Sequence, residues 1–292
     1  MHKKCVEKRL NMRNPLIKRL PRELKGDIGK YLVIFLFMTM LISLVSGFLV
    51  ADNSVYDAYE KGFEKYNVEY ADFVTADEMS DETIKELEND NKVRIYDQRY
   101  YKLKESKRNA TIRVYGERKE VNKLCIMSGR LAKADDEITL DRVFAKNNDY
   151  KVGDNIKIGD KDYKITGFVA MPDYSCLFED NADMMFDSVN FGVASMTDSG
   201  LKKLKKSKLN YCYAMRYNKK PKSDKEQKNM SDDFLKSLAK KAAVTSYIPR
   251  CENKAINFTG DDMGGDKAMF ILFDYIVIAI LAFVFAITTS NT

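Results

Sequence analysis

The sequence predicts an α+β extracellular domain, built of mixed sheets with hairpins and short helices and flanked by two transmembrane α-helices. Three observations predict it. Residues 31–50 lie in a run without charge between Lys30 and Asp52, and residues 275–292 carry none after Asp274. Ten Lys and Arg against three Asp and Glu fill residues 1–30, while the rest of the chain holds 39 basic and 40 acidic residues. Between the two apolar runs, strand-like alternation and helix-start signals follow one another in mixed order with tight turns, which is the pattern of an α+β fold.

Residues 1–30 are read as a basic cytoplasmic tail. Residues 15–24 place apolar side chains on one face and basic ones on the other. That suits a short helix lying on anionic headgroups, or simply the charge signal that orients the first span. Met12 offers a second start position. Residues 31–51 form the first transmembrane helix. Its twenty apolar positions make about 30 Å of helix, the thickness of a bilayer core, and backbone in lipid must bond to itself. A cleaved signal peptide is the competing reading, but its apolar region ordinarily runs to about 7–15 residues. Basic residues flanking a span stay in the cytoplasm. The N-terminus is therefore expected inside and residues 52–267 outside, with the lipid bilayer as a partner. A nucleic-acid protein would carry its basic excess on the folded domain, so no nucleic-acid partner is expected.

Residues 52–67 are read as a helical stalk, because Val55, Tyr59, Phe63 and Tyr66 recur near helical spacing. Residues 68–75 alternate like a strand. Ser80 caps a helix to residue 89 with Asp81 and Glu82 in its first turn. Residues 92–103 and 110–115 read as two strands around a polar turn at 105–109. Residues 137–140 form a short strand, 143–147 a short helix, and 155–158 with 163–169 a hairpin with one buried face. A strand follows at 189–196, then a Lys-rich helix capped by Thr197 and reaching about Lys206. Further on come a strand at 211–217, a polar loop at 219–229, a helix from a Ser231 cap to about Lys241, and a strand at 243–248. Residues 260–266 read as a glycine and aspartate linker. The second transmembrane helix spans 268–292. An aspartate is far cheaper at the membrane surface than at its centre, so Asp274 is placed near the outer surface; a polar contact to another helix is the other reading.

Four stretches in one order carry a family resemblance: Ser128-Gly129-Arg130-Leu131, Asp136-Glu137-Ile138, Lys151-Val152-Gly153-Asp154, and Tyr163-Lys164-Ile165-Thr166-Gly167-Phe168. With Gly29-Lys30-Tyr31-Leu32 leading into the first span, the chain resembles the N-terminal half of FtsX-like and MacB-like permeases of ATP-binding cassette transporters. The resemblance makes residues 68–266 a MacB-like extracellular core domain. It implies a separate cytoplasmic ATPase subunit as partner, a second permease copy or half, and an extracellular substrate or partner. Such permeases resemble four-span proteins whose ATPase-docking loop follows the second span, so the chain is expected to be the front part of a longer protein or one of two separately encoded halves. An extracellular binding or sensor domain anchored in the membrane without an ATPase is the alternative. In the signature, Gly153 allows a turn that a side chain would block and Asp154 can bond the turn's amides; Gly129 and Gly167 are expected to act likewise.

Chemistry is conspicuous by its missing motifs. There is no phosphate-binding Gly-x-x-x-x-Gly-Lys loop, and His2 is the sole histidine, so no His-based triad can form outside the membrane. No enzyme activity, cofactor or metal site is expected. Acidic clusters at residues 179–183 and at Asp261-Asp262 lack the ligand spacing of an EF-hand and read as solvated loops or weak calcium sites. Tyr96, Tyr100 and Tyr101 beside Arg94 and Arg99 read as packing or as a partner surface. The wide spacing of Cys125, Cys176, Cys212 and Cys251 leaves a disulfide among them open.

Overall fold

The computed structural model describes residues 25–26, 28–204 and 208–290. The amphipathic reading at 15–24 and the rest of the tail through 24 lie outside the described residues. The chain divides into two units, residues 1–55 with 265–292 and residues 56–264.

The first unit holds most of helix α1 (Ile28–Lys65) and the later part of α6 (Lys254–Ser290). Both helices are long and apolar enough to cross a membrane by length and composition. Phe35 and Met40 are each 67 % exposed, which in water would be costly and in lipid is not. Phe48 stacks on Phe270 with ring centroids 5.0 Å apart, and Lys267 Nζ donates to Asn53 Oδ1 at 2.8 Å. Asp274 lines a gap of about 40 Å³ with Leu44, Val45, Phe48, Phe270 and Phe273.

In the second unit α1 ends in a left-handed cap. Asn67 at φ 53° lets the Val68 amide reach the Phe63 carbonyl at 2.9 Å and its own amide reach Glu64. The last turns of α1 then seat on the domain. Tyr59 Oη donates to the Ile256 carbonyl at 2.8 Å, Phe63 lies under Arg250, and Tyr66 Oη contacts Cys125 Sγ.

Eleven strands make one mixed sheet. They are β1 (Ala71–Thr75), β2 (Val93–Asp97), β3 (Tyr100–Lys104), β4 (Thr111–Tyr115), β5 (Cys125–Gly129), β6 (Glu137–Asp141), β7 (Asn155–Ile158), β8 (Lys161–Ala170), β9 (Phe191–Ser195), β10 (Leu209–Tyr217) and β11 (Val244–Pro249). Their order is β11-β1-β10-β3-β4-β9-β6-β8-β5, with β2 also on β10 and β7 on β8. The β4–β9 and β6–β8 pairs are parallel and the others antiparallel. Short helices complete the unit: α2 (Asp81–Asn91), α3 (Arg142–Asn147), α4 (Asp198–Lys202) and α5 (Asp224–Ala239). Ser80 caps α2, Asp141 caps α3 and Thr197 caps α4, each accepting from the amide two or three residues on.

Two apolar cores result. One gathers Ile112, Val114, Leu140, Phe144, Ile156, Ile165 and Val193 from β4 and β6–β9 with α3. The other packs Leu87 of α2 and Phe234 and Leu238 of α5 against Phe73, Tyr213 and Met215 of β1 and β10.

Several local expectations are corrected. The strand expected over 92–103 is two strands, β2 and β3, interrupted at Gln98 and Arg99 yet pairing with β10 in one register. The helix expected from Ser231 begins at Asp224, capped by Ser223, whose Oγ accepts from the Glu226 amide. Ser231 lies inside that helix with its hydroxyl on Tyr247 Oη at 2.7 Å. Residues 260–266 are helical. Gly260 gives the Tyr59 ring room against α6, so this glycine serves a close approach and breaks nothing. The α4 helix stops at Lys202, and residues 205–207 lie outside the described residues. Strand β5 had no counterpart in the sequence reading.

The four signature stretches meet. Gly129 pairs with Gly167 across β5 and β8. A Cβ on Gly167 would strike the Arg130 backbone, and one on Gly129 (φ 71°) the Thr166 carbonyl. Gly153 adopts φ 103°, and Asp154 accepts from the Lys151 amide at 2.8 Å. Arg130 grips Glu137 with two nitrogens, which holds that carboxyl down at about 2. Gly167→Ala is therefore expected to cost about 1–3 kcal/mol, whereas Gly264→Ala, helical and open around its Cα, gains up to about 1 kcal/mol. Urea denaturation of the two variants, followed by circular dichroism, checks this contrast.

Candidate functional site

Strands β1 and β4 each turn one face to a core and the other to a cavity. In β1, Phe73 enters the second core, while Asp72 and Val74 look the other way. In β4, Ile112 and Val114 enter the first core, and Arg113 and Tyr115 share the cavity face. The cavity holds about 280 Å³ and is bounded by Tyr100, Tyr115 and Cys212 of the first core and by Asp72 of β1 and Ser246 and Ile248 of β11. A second cavity of about 430 Å³ adjoins it, and Gln98, Tyr115 and Arg118 line both.

The walls of the first cavity are charged. Arg118 and Asp173 form a buried ion pair at 2.6 Å, with side chains 2 % and 7 % exposed. The Arg118 guanidinium also stands over the Tyr115 ring, 4.1 Å from its centroid. Arg113 donates to Tyr174 Oη at 2.9 Å and to the Glu179 carbonyl, and it faces the rings of Tyr100 and Phe191. It makes no ion pair among the described residues. Tyr115 and Tyr174 share a hydrogen bond of 2.7 Å between their hydroxyls. Glu69 takes a 2.8 Å hydrogen bond from Asn122 Nδ2, and Asp72 takes one from Asn253 Nδ2 at 3.2 Å.

Electrostatics follow from burial. Desolvation pushes the Glu69 carboxyl well up, and the charges of Asp72 and Asp173 push it further. Asp72 is raised to about 7, chiefly by burial, with Arg113 opposing the rise. Burial likewise raises the Cys212 thiol, which makes it an unreactive lining group. Three buried polar atoms on these walls lack a hydrogen-bond partner: Gln98 Oε1, Arg113 Nε and Arg118 Nε. The arrangement offers a guanidinium fork, a carboxyl that titrates near neutrality and an empty acceptor, a set suited to recognising charge.

The candidates read from sequence separate. Tyr100 lines this cavity and Tyr101 the neighbouring one, both buried, and Tyr96 is half-buried. Arg94 pairs with Glu88, and Arg99 with Asp97 and Glu78. The expected aromatic patch is thus not one surface. In the 179–183 cluster, Glu179 pairs with Lys102, while Asp180 and Asp183 bond amides of their own loop. Asp261 and Asp262 lie on α6. Among the described residues no group of three or more His, Cys, Asp or Glu is placed to hold a metal. Cys125, Cys176 and Cys212 are free thiols, and Cys251 is exposed.

Among the solved structures similar to this chain are two transporter domains of low sequence identity to it. The periplasmic region of MacB from Actinobacillus actinomycetemcomitans shares 15 % identity at a TM-score of 0.37, over 65 % of this chain and 91 % of that one. The extracellular domain of the noncanonic ABC-type transporter YknZ from Gram-positive bacteria shares 11 % at 0.36, over 60 % and 97 %. Neither a protein-family model nor a curated protein matches the sequence.

Two predictions follow from the charges. Arg118→Met strands Asp173 in the interior and costs about 3–5 kcal/mol, while the double change Arg118→Met with Asp173→Leu recovers most of it; thermal unfolding of the single and double variants measures this. Asp72, raised to about 7, holds a proton in the folded state that the unfolded chain releases above about pH 4, and Glu69 is raised in the same direction. The Asp72 contribution to stability is complete below that pH and declines as pH rises through about 7. The low carboxylates Glu137 and Asp135, at about 2, titrate beneath this window. Melting temperature should fall from pH 4.5 to 7.5 with a slope that Asp72→Asn makes shallower.

Proposed function

We propose that this chain is a membrane permease subunit, or the N-terminal half of one, of an FtsX-like or MacB-like ABC transporter. In this reading α1 and α6 cross the bilayer, residues 1–30 lie in the cytoplasm, and the folded unit stands outside the cell. A separate ATPase closes paired copies, and α1 and α6, which both enter the folded unit, are the covalent routes by which that movement leaves the membrane. The chain itself catalyses nothing; its extracellular part handles a lipid, a peptide or a protein partner. One observation carries the reading: the signature stretches that resemble the family converge on one another through the Gly129–Gly167 approach and the Arg130–Glu137 fork, between two helices apolar enough to span.

A second reading, an anchored extracellular sensor without an ATPase, is favoured by the charged cavity, which a purely mechanical part would not need. Purification from detergent-solubilised membranes of the native host decides between them. Co-elution of an ATPase encoded beside the gene supports the permease, and its clean absence supports the sensor. Protease added to intact cells is expected to cut the loop around Met184, which is 95 % exposed, and to spare a tag on the N-terminus; cutting of the tag alone overturns the orientation for both readings.

A further inference from the structure

We propose that the cavity lined by Asp72 and Arg113 binds a small zwitterion, a molecule bearing a carboxylate and an ammonium as close together as in a free α-amino acid. The inference stands on the cavity alone and holds whether or not the chain couples to an ATPase.

The first argument is the distribution of charge. Arg118 and Asp173 satisfy each other. Arg113 and Asp72 line the same cavity and make no ion pair among the described residues; Asp72, raised to about 7, becomes an anion as pH rises through neutrality. Arg113 is held by neutral oxygens, those of Tyr174 and the Glu179 carbonyl. Asp72 is held by the Asn253 amide. A buried ion without a counter-ion is costly, so each of these groups is poised to take one from a guest.

The second argument is the set of unpartnered atoms. Gln98 and Arg118 are both over nine-tenths buried, at 8 % exposure each. Gln98 Oε1 is left without a donor, and Arg113 Nε and Arg118 Nε without acceptors. An acceptor and two donors, on walls that also carry an unpaired guanidinium and a carboxyl that ionises near neutrality, complement a guest that has both kinds of group. A simple anion on Arg113 would face Asp72 and Asp173. A simple cation on Asp72 would face Arg113 and Arg118. A zwitterion meets both and adds no net charge to the interior.

Size and access agree. About 280 Å³ lies at the small end of ligand pockets. Tyr100, Tyr174 and Phe178 supply apolar walls for a side chain. Asp180 and Thr245 line the cavity and are exposed, so it opens to solvent.

The test is isothermal titration calorimetry on the full chain in lipid nanodiscs, with each of the proteinogenic L-amino acids in turn. For every binder, the amine lacking its carboxylate and the acid lacking its amino group are titrated as well. At least one amino acid should bind, and its amine and its acid should each bind about tenfold or more weakly. Arg113→Lys, which keeps the charge and loses the fork, and the isosteric Asp72→Asn should each weaken binding about tenfold or more. Thr245→Trp, on the exposed rim, should do the same while leaving both buried charges in place, so the test stands even if the interior variants unfold. The proposal is overturned if no amino acid binds, if the amine or the acid alone binds as well as the amino acid, or if binding survives in the folded variants.

Discussion

The pairing of β10 holds the soluble unit together. This strand pairs with β2 over residues 213–217 and with β3 at Leu209 and Asn210, all in a single register. Its other edge pairs with β1. One strand thus gives Tyr213 and Met215 to the α2–α5 core and Cys212 to the larger one. The partner strand is interrupted at Gln98 and Arg99, and the Gln98 amide crosses to the Cys212 carbonyl at 2.9 Å. Gln98 lines both cavities. Polar groups collect where apolar close packing is not reached.

The polar groups lining the cavity are ordered by the need to solvate charge without water. Arg113 spreads its cation over two aromatic faces, a phenol and a carbonyl. Arg118 combines a carboxylate with the Tyr115 ring. Tyr115 joins the two arginines, since its ring lies under Arg118 and its hydroxyl bonds Tyr174, which bonds Arg113. Burial and the charges of Asp72 and Asp173 push the Glu69 carboxyl upward, towards its neutral form. Such a network stabilises the fold far less than an apolar wedge of the same volume could, and this is why a role in recognition is the economical explanation for it.

What could be read from the sequence depended on how far each determinant reaches. Ser80, Asp141 and Thr197 declared their helices because a cap acts on amides two or three residues away. The 155–158 and 163–169 hairpin declared itself by alternation around a glycine turn. Ser223 did not, because Lys and Asp crowd the start of α5 and resemble a loop until Phe234 and Leu238 are seen packing. Gly260 was misleading for the same reason, as its meaning depends on Tyr59, some two hundred residues earlier. The cavity was least legible of all. Asp72 and Arg113 each interrupt an apolar strand in a position that alternation assigns to solvent. Only the fold shows that this outer face is covered by the other half of the domain.

None of the residues in the four signature stretches lines the charged cavity. Gly129, Gly153 and Gly167 shape strands β5 to β8 at the far edge of the sheet, whereas Asp72 lies on β1, Arg113 on β4, and Gln98, Arg118 and Asp173 between strands. The features that make the chain resemble a transporter family are therefore scaffold, and those that would select a ligand are separate from them in sequence and in space. Exchanging Asp72 or Arg113 leaves the Gly129–Gly167 approach untouched, so a common scaffold can carry different cavities. For that reason a family resemblance resting on the glycines speaks to how this domain is built, and the charges of the cavity must be asked, on their own terms, what it binds.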